Sequence, residues 1–343
     1  PTMSRFASKT SLFWVQFLAL SLAFCLNAST STFFMLFLFV NALHALIGRG
    51  LKMNYTLTGI NLRTDRTASD LLKKKNLKRF VLTAMPINHF GEKLRWCLDG
   101  LGLDYEERNV TGLWSHFFHC KSVPQLEDRA SSSILGNSDH ALQYLLGHFG
   151  AEDENLRKFL ERTPERREWE RSLNVLGHTI QVYVYHFILG PDSPGDIPLC
   201  MWGAFEPGLP IHQRIYHRIM YPFTRKVMYG ALKLDDAAHV ARAKTLLQEV
   251  LDAADAALQK NAFLTGPAPC YIDIAFASLI GATIPDVLNS RQFANGRFSS
   301  LKLDPKRTPK GVQEFIAEGA KRRCVKHVKA MYEKRGQPFS ALC

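Results

Sequence analysis

The sequence has no cysteine pattern typical of a metal site or a disulfide framework. Its seven cysteines are odd in number and widely scattered, and none forms a C-x-x-C pair. This distribution indicates a reducing compartment and argues against a bound metal. Glycine and proline are not enriched in this chain of 343 residues, with 22 and 16, which excludes fibrous and low-complexity proteins. The length suits about two domains.

The net positive charge of +12 is confined to two segments. Residues 63–79 carry seven basic and two acidic residues, residues 302–335 carry eleven basic and four acidic, and the rest of the chain is neutral. Neither segment interleaves aromatic residues with its cations as a base-stacking surface does. We therefore expect no nucleic-acid partner. A solvated helix face or contact with an anionic membrane explains both segments more simply.

No apolar run reaches the roughly 20 residues that a membrane-spanning helix needs. Two shorter runs, 12–26 and 33–47, are separated by polar residues and have basic residues on their outer flanks. This pattern favours a shallow hairpin with both ends in the cytoplasm, and the first run also fits the apolar region of a signal peptide.

We predict that residues 1–52 form a hydrophobic targeting or membrane segment and that residues 53–78 form a basic linker. The protein is then membrane-associated with its globular part facing the cytoplasm. If the first segment is not native, it is cytoplasmic.

Between residues 79 and 150 the pattern alternates between strand and helix. The apolar run 80–85 predicts a strand that Pro86 ends, and residues 92–101 have helical spacing up to Gly102. Further strands are expected at 105–110, 123–126 and 133–135, followed by a helix from Ser138 to about His148. We predict an α/β domain over residues 79–150.

After Gly150 only helical patterns remain. The spacing of apolar residues in 247–258 gives one buried helix face, and residues 169–189, 211–232, 272–282 and 312–332 also predict helices. Residues 190–210, rich in proline and glycine, predict an extended loop. We predict an all-helical domain over residues 151–343.

Four motifs in this order carry a family resemblance. Residues 86–96 read PINHFGEKLRW, residues 122–126 read SVPQL, residues 135–138 read LGNS, and residues 263–275 read FLTGPAPCYIDIA. Together they resemble the glutathione S-transferase family over residues 79–335. The resemblance implies an α/β thioredoxin-like domain followed by an all-α domain, with glutathione as co-substrate and a small electrophile as second partner. A homodimer is left open.

The resemblance also implies a binding site for glutathione. In this family the proline of the second motif follows a cis peptide bond, and Pro124 is the matching residue here. The resemblance implies that the backbone N–H and C=O of Val123 pair with the extended tripeptide glutathione. Asn137 and Ser138 begin a predicted helix, whose free N–H groups and dipole favour the γ-glutamyl carboxylate. The alternative is that Pro124 only shapes a turn and Ser138 only caps the helix.

The catalytic position departs from the family pattern. Where relatives carry serine or cysteine, this chain has Asn88, and no serine, cysteine or tyrosine occurs in residues 87–91. Asn88 cannot be a nucleophile, but its amide N–H can donate to a thiolate at a helix N-terminus. His89 is either a helper or a surface residue. Cys97 lies on the apolar side of its helix and is expected in the core.

Asp273 is expected to complete a capping box without a catalytic role. Its carboxylate would reach back to the backbone at the helix start, where Cys270 replaces the family's hydroxyl residue.

Three functions remain open from the sequence. The first is a glutathione transferase that conjugates electrophiles, or uses glutathione in thiol chemistry, with Asn88 as the thiolate donor. The second is a non-catalytic glutathione-binding or scaffold protein. The third is a membrane-attached ligand carrier that uses the helical domain.

Overall fold

The computed structural model describes residues 77–114, 123–191, 193–296, 304 and 306–339. The predicted hydrophobic segment 1–52 and almost all of the predicted linker 53–78 lie outside the described residues. Within the described part, no helix is long and apolar enough to span a membrane.

A four-stranded mixed sheet forms the first part of the fold. Its strands are β1 (Phe80–Ala84), β2 (Tyr105–Asn109), β3 (Gln125–Asp128) and β4 (Ser133–Leu135). They lie in the order β2-β1-β3-β4, with β1 and β2 parallel and the other two pairs antiparallel. Every residue of β1 is buried, as its apolar sequence predicts for a central strand.

Helices flank the sheet and then continue alone. In chain order they are α1 (His89–Gly100), α2 (Gly112–Trp114), α3 (Ser138–Phe149), α4 (Glu154–Leu160), α5 (Pro164–Ile188), α6 (Asp196–Met201), α7 (Ile211–Ala231), α8 (Ala237–Lys260), α9 (Tyr271–Gly281), α10 (Pro285–Leu288), α11 (Lys310–Gly319) and α12 (Arg323–Glu333).

The element order confirms the predicted fold class. A β-α-β unit is followed by two antiparallel strands and a helix, which is the thioredoxin-like arrangement, and no strand of the described residues lies in the sheet after Leu135. Residues 190–210, expected as an extended loop, contain the short helix α6. The domain boundaries after residues 78 and 150 remain a prediction.

Helix α9 forms the centre of the helical part. All of its residues are buried, because its sequence YIDIAFASLIG is apolar on every side. It packs against α1, α5 and α12, and so it connects the helical part with the sheet domain. Buried charges also lie at this contact. Arg335, which follows α12, donates to Glu92 of α1 at 3.1 Å and forms an ion pair with Asp99 of α1 at 2.9 Å.

The capping residues of α9 suggest a first prediction. Both carboxylate oxygens of Asp273 accept backbone N–H groups, from Leu264 at 2.8 Å and from Cys270 at 2.9 Å. Cys270 is the N-cap residue, and its sulfur is a weak acceptor. Cys270→Ser should raise the free energy of unfolding by about 0.5–1 kcal/mol, because serine is a better N-cap.

Urea unfolding of the parent, the Cys270→Ser variant and a Cys270→Ala control measures this effect. If the serine variant is no more stable than the alanine control, a side-chain acceptor at position 270 does not stabilise the start of α9.

Candidate functional site

The turn between β1 and α1 holds Asn88 in two hydrogen bonds. Its Oδ1 accepts the backbone N–H of Gly91 at 2.5 Å, which makes Asn88 the N-cap of α1. Its Nδ2 donates to the backbone carbonyl of Val123 at 3.2 Å. Arg95, buried beneath the turn, donates to the carbonyl of Met85 at 3.0 Å. Asn88 therefore links the start of α1 to the loop before β3 and keeps one amide hydrogen for another acceptor.

The Val123–Pro124 peptide bond is cis, as the resemblance implies. Val123 is half-buried and Pro124 is buried at the start of β3. The contact with Asn88 brings this turn next to the N-terminus of α1. The two motifs, separated by 35 residues in the sequence, thus lie at one end of the sheet.

Ser138 lies at the first turn of α3 with an unsatisfied hydroxyl. Asn137, not Ser138, is the N-cap, since its Oδ1 accepts the N–H of Asp139 at 2.9 Å. The Ser138 residue is 1% exposed, and its Oγ has no hydrogen-bond partner in the described part of the chain. Because a buried polar atom without a partner costs about 1–3 kcal/mol, this hydroxyl needs an explanation beyond capping.

A narrow cleft opens beside these residues, between α1, α3, α5 and α9. Lys93 of α1 forms an ion pair with Asp139 of α3, and both residues line the cleft. On the opposite wall, Glu170 of α5 accepts from the Tyr271 hydroxyl at 2.9 Å. The cavity volume is about 10 Å³, which accommodates about one water molecule. The cleft is therefore too small to enclose a tripeptide.

His89 also lines the cleft and is not the surface residue that the sequence left open. Its Nε2 is buried without a hydrogen-bond partner among the described residues, and its ring lies 4.3 Å from that of Phe90. Loss of hydration lowers its pKa to about 4, since burial disfavours the charged imidazolium. At neutral pH His89 is uncharged and contributes no positive charge to a nearby thiolate.

The buried cysteines have the properties of core residues. Cys97 is 0% exposed, and burial raises its pKa to about 12. Burial likewise raises the pKa of Cys324 to about 12 and that of Cys270 to about 11. None of these three thiols is ionised at neutral pH, so none serves as a nucleophile.

The segment around Trp202 covers one side of the turn before Asn88, which the sequence did not predict. The backbone carbonyl of Trp202 accepts the N–H of Gly112 at 3.3 Å, and the indole N–H of Trp202 donates to the Tyr185 hydroxyl at 3.1 Å. Gly203 has φ +82°, and a Cβ there would lie 2.9 Å from the Cγ of Pro86. Only glycine permits this backbone conformation and this close approach. The side of the turn next to Pro86 is therefore packed against the chain itself.

The chain folds as a thioredoxin-like domain followed by an all-helical domain. The sheet order, the fully buried helix α9 and the meeting of the first two motifs at one end of the sheet define this arrangement. No model of a protein family matches the chain, and no curated protein matches it.

Several solved structures resemble the protein at low sequence identity. FzlA from C. crescentus is 14% identical, with 74% of this chain and 92% of that chain covered and a TM-score of 0.38. The theta class glutathione S-transferase from Xanthomonas axonopodis pv. citri, in its apo form, is 18% identical, with 74% and 97% covered and a TM-score of 0.36. The glutathione transferase URE2P6 from Phanerochaete chrysosporium, in complex with oxidized glutathione, is 15% identical, with 76% and 99% covered and a TM-score of 0.38.

Proposed function

We propose that this glutathione transferase-like protein binds glutathione at the end of the sheet formed by the Val123–Pro124 turn and the first turn of α3. The observation that supports this proposal is the Ser138 hydroxyl, which is buried at a helix N-terminus and has no hydrogen-bond partner among the described residues. A carboxylate ligand would satisfy it and would also accept the free N–H groups of the helix. The γ-glutamyl carboxylate of glutathione suits this position, with Asn137 beside it and the peptide backbone along Val123.

The thiol of a tripeptide bound in this way would lie near the N-terminus of α1. A free thiol has a pKa of about 8.5, and lowering it by two units requires about 2.7 kcal/mol in favour of the thiolate. Two kinds of donor can supply part of this stabilisation of the thiolate: the first-turn N–H groups of α1 and the second amide hydrogen of Asn88. The thiolate would then attack the electrophile, forming the carbon–sulfur bond as the leaving group departs with its electron pair.

A second candidate function is glutathione binding without conjugation. The observation in its favour is that Asn88 already makes two hydrogen bonds within the protein, to Gly91 and Val123. These bonds explain the residue structurally without any thiolate. The covering of the turn by Trp202 and Gly203 also restricts the space for an electrophile.

Two measurements on the purified full chain separate these functions. Calorimetric titration with glutathione tests the shared binding step, and turnover of chlorodinitrobenzene at saturating glutathione tests conjugation. Binding with turnover supports the transferase, and binding without turnover of this or other simple electrophiles supports the scaffold protein. Absence of glutathione binding would contradict both and leave the ligand carrier.

We also propose that residues 1–52 attach the protein to a membrane, with the globular part in the cytoplasm. The basic segment 63–79 makes a smaller contribution than its charge suggests, because its last two cations bind acidic side chains. Lys78 pairs with Asp104, and Arg79 pairs with Asp128 at 2.8 Å. These carboxylates offset two of the seven positive charges of the segment. The homodimer likewise remains a proposal.

Deleting residues 1–52 should move the protein from the membrane fraction to the soluble fraction, because both apolar runs are removed. Fractionation by sedimentation before and after the deletion measures the change, and circular dichroism checks that the helical content is retained. A full-length protein that is already soluble would contradict this attachment.

A further inference from the structure

Helix α7 has an inverted distribution of polar and apolar residues. Its exposed side presents three isoleucines at a spacing of four residues: Ile211 at 59%, Ile215 at 46% and Ile219 at 70% exposure. Its buried side, at the same spacing, carries Gln213, His217 and Tyr221. In a soluble protein a helix usually buries its aliphatic residues and exposes its polar ones. The isoleucines of α7 are therefore not used in the protein core.

Contacts on the inner side hold α7 in this orientation. The Gln213 side-chain oxygen accepts the backbone N–H of Thr111 at 3.1 Å. The ring of His217, which is 0% exposed, lies 5.6 Å from the Trp202 ring. Rotating the helix to bury the isoleucines would break the hydrogen bond between Gln213 and Thr111 and separate the rings of His217 and Trp202. The exposed aliphatic face is thus a consequence of specific packing.

The charge of α7 has only one sign. The helix contains four cations, Arg214, Arg218, Arg225 and Lys226, and no acidic residue. None of the four pairs with a carboxylate in the described part of the protein, whereas Arg225 donates to the backbone carbonyl of Leu189 at 2.9 Å. Arg218 and Lys226 are exposed, and their spacing places them on the same side as the isoleucines.

Some cations of the C-terminal segment are paired within the fold. Arg322 forms an ion pair with Asp252 at 2.6 Å and Lys329 forms one with Asp286 at 2.7 Å. These pairs connect helices and neutralise part of the charge of segment 302–335. Helix α7 differs because its cations lie beside an exposed aliphatic face.

The charge also decides between the partners that could cover this face. A second copy of the chain would bring two cationic faces together, which is repulsive. The N-terminal residues 1–52 contain basic but no acidic residues, so they are not complementary either. An anionic lipid surface matches both the aliphatic and the cationic side chains.

We propose that α7 lies in the interface of an anionic membrane. The isoleucines enter the boundary between headgroups and acyl chains, and Arg218 and Lys226 extend to the lipid phosphates. This contact is additional to the attachment by residues 1–52 and does not depend on the glutathione site. It orients the globular part with the outer face of α7 towards the bilayer.

Hydrogen exchange of the full-length protein on vesicles tests this orientation directly. Peptides covering residues 211–231 should exchange at least about tenfold more slowly on an equal mixture of phosphatidylcholine and phosphatidylserine than in solution. On phosphatidylcholine alone the protection should be weaker, because the cations have no anionic partner. High salt should reduce it in the same way.

Two exposed-face variants and one control sharpen the test. Ile215→Ser combined with Ile219→Ser should abolish the protection, and Arg218→Gln combined with Lys226→Gln should remove its dependence on phosphatidylserine. Val175→Ser is the matched control, because Val175 is an exposed aliphatic residue of α5 at 42% exposure, and it should have no effect on α7.

Three results would overturn the proposal. One is vesicle binding without protection of residues 211–231, and another is equal protection on both lipid compositions. The third is protection in the absence of vesicles that rises with protein concentration, which would indicate a second copy as the partner.

Discussion

Ser138→Ala should lower the affinity for glutathione about tenfold or more without lowering the stability of the protein. A hydrogen bond to a charged group contributes roughly 1.5–3 kcal/mol, so its loss is readily measured as a change in Kd. The free energy of unfolding should stay the same or rise, because the alanine removes a buried hydroxyl that has no partner in the part of the chain that the structure describes. A lower affinity without a loss of stability is expected of a residue that binds the ligand and does not stabilise the fold.

Calorimetric titration and urea unfolding of the same preparations provide both quantities. Ser278→Ala is a suitable control, because Ser278 is also a buried serine but donates to the carbonyl of Ile274 at 2.7 Å. It should lose stability and retain glutathione affinity. If Ser138→Ala binds glutathione as tightly as the parent, the γ-glutamyl site is wrongly assigned.

Asn88→Ala should lower the turnover of a simple electrophile by about 10- to 100-fold. This range corresponds to the loss of one thiolate donor worth roughly 1.4–2.7 kcal/mol. The variant should also lose about 1 kcal/mol of stability, because the N-cap of α1 is removed. Three further substitutions at Asn88 separate the loss of the donor from the loss of the cap.

Asn88→Asp retains an N-cap oxygen but replaces the amide donor with a negative charge. It should keep the helix start and lower turnover at least as strongly as alanine, since the carboxylate repels a thiolate. Asn88→Ser should retain the cap and raise turnover if a hydroxyl is the better donor. Asn88→Cys should shift the protein towards thiol–disulfide exchange, because a cysteine at a helix N-terminus ionises readily.

Steady-state kinetics of the five proteins at saturating glutathione, with unfolding measured in parallel, decide the role of Asn88. An alanine variant that is destabilised but turns over as fast as the parent would show that Asn88 acts only through its contacts with Gly91 and Val123. Glutathione binding without conjugation would then be the better function.

Local features of this protein follow from its sequence. The apolar run ending at Pro86 forms β1, and Gly102 has the positive φ expected of a residue that ends a helix. The order of strands and helices between residues 79 and 150 also agrees with the structure, although α1 begins three residues earlier than its apolar spacing indicates. Asn88 accounts for this difference, because a polar N-cap and the first turn of a helix carry little apolar periodicity.

The environment of individual side chains depended on contacts that are distant in the sequence. Serine is a common helix-capping residue, but Asn137 takes that role and the Ser138 hydroxyl is buried with no partner among the residues that the structure describes. Trp202 lies in a segment expected to be an extended loop, but it packs beside Gly112, and the next residue, Gly203, lies close to Pro86. Neither outcome has a local signal, because each depends on which distant segment covers the residue.

Helix α7 shows the same division between sequence and structure. Its helical conformation follows from its sequence, but apolar spacing alone would place Ile215 and Ile219 in the core. The structure buries His217 and Gln213 there because Thr111 and Trp202 are their partners. The sequence by itself thus determined the fold class, the strands and the longer helices, since these depend mainly on neighbouring residues. Only the tertiary structure decided which polar groups lack partners and which apolar faces remain exposed, because burial is a property of the packed chain.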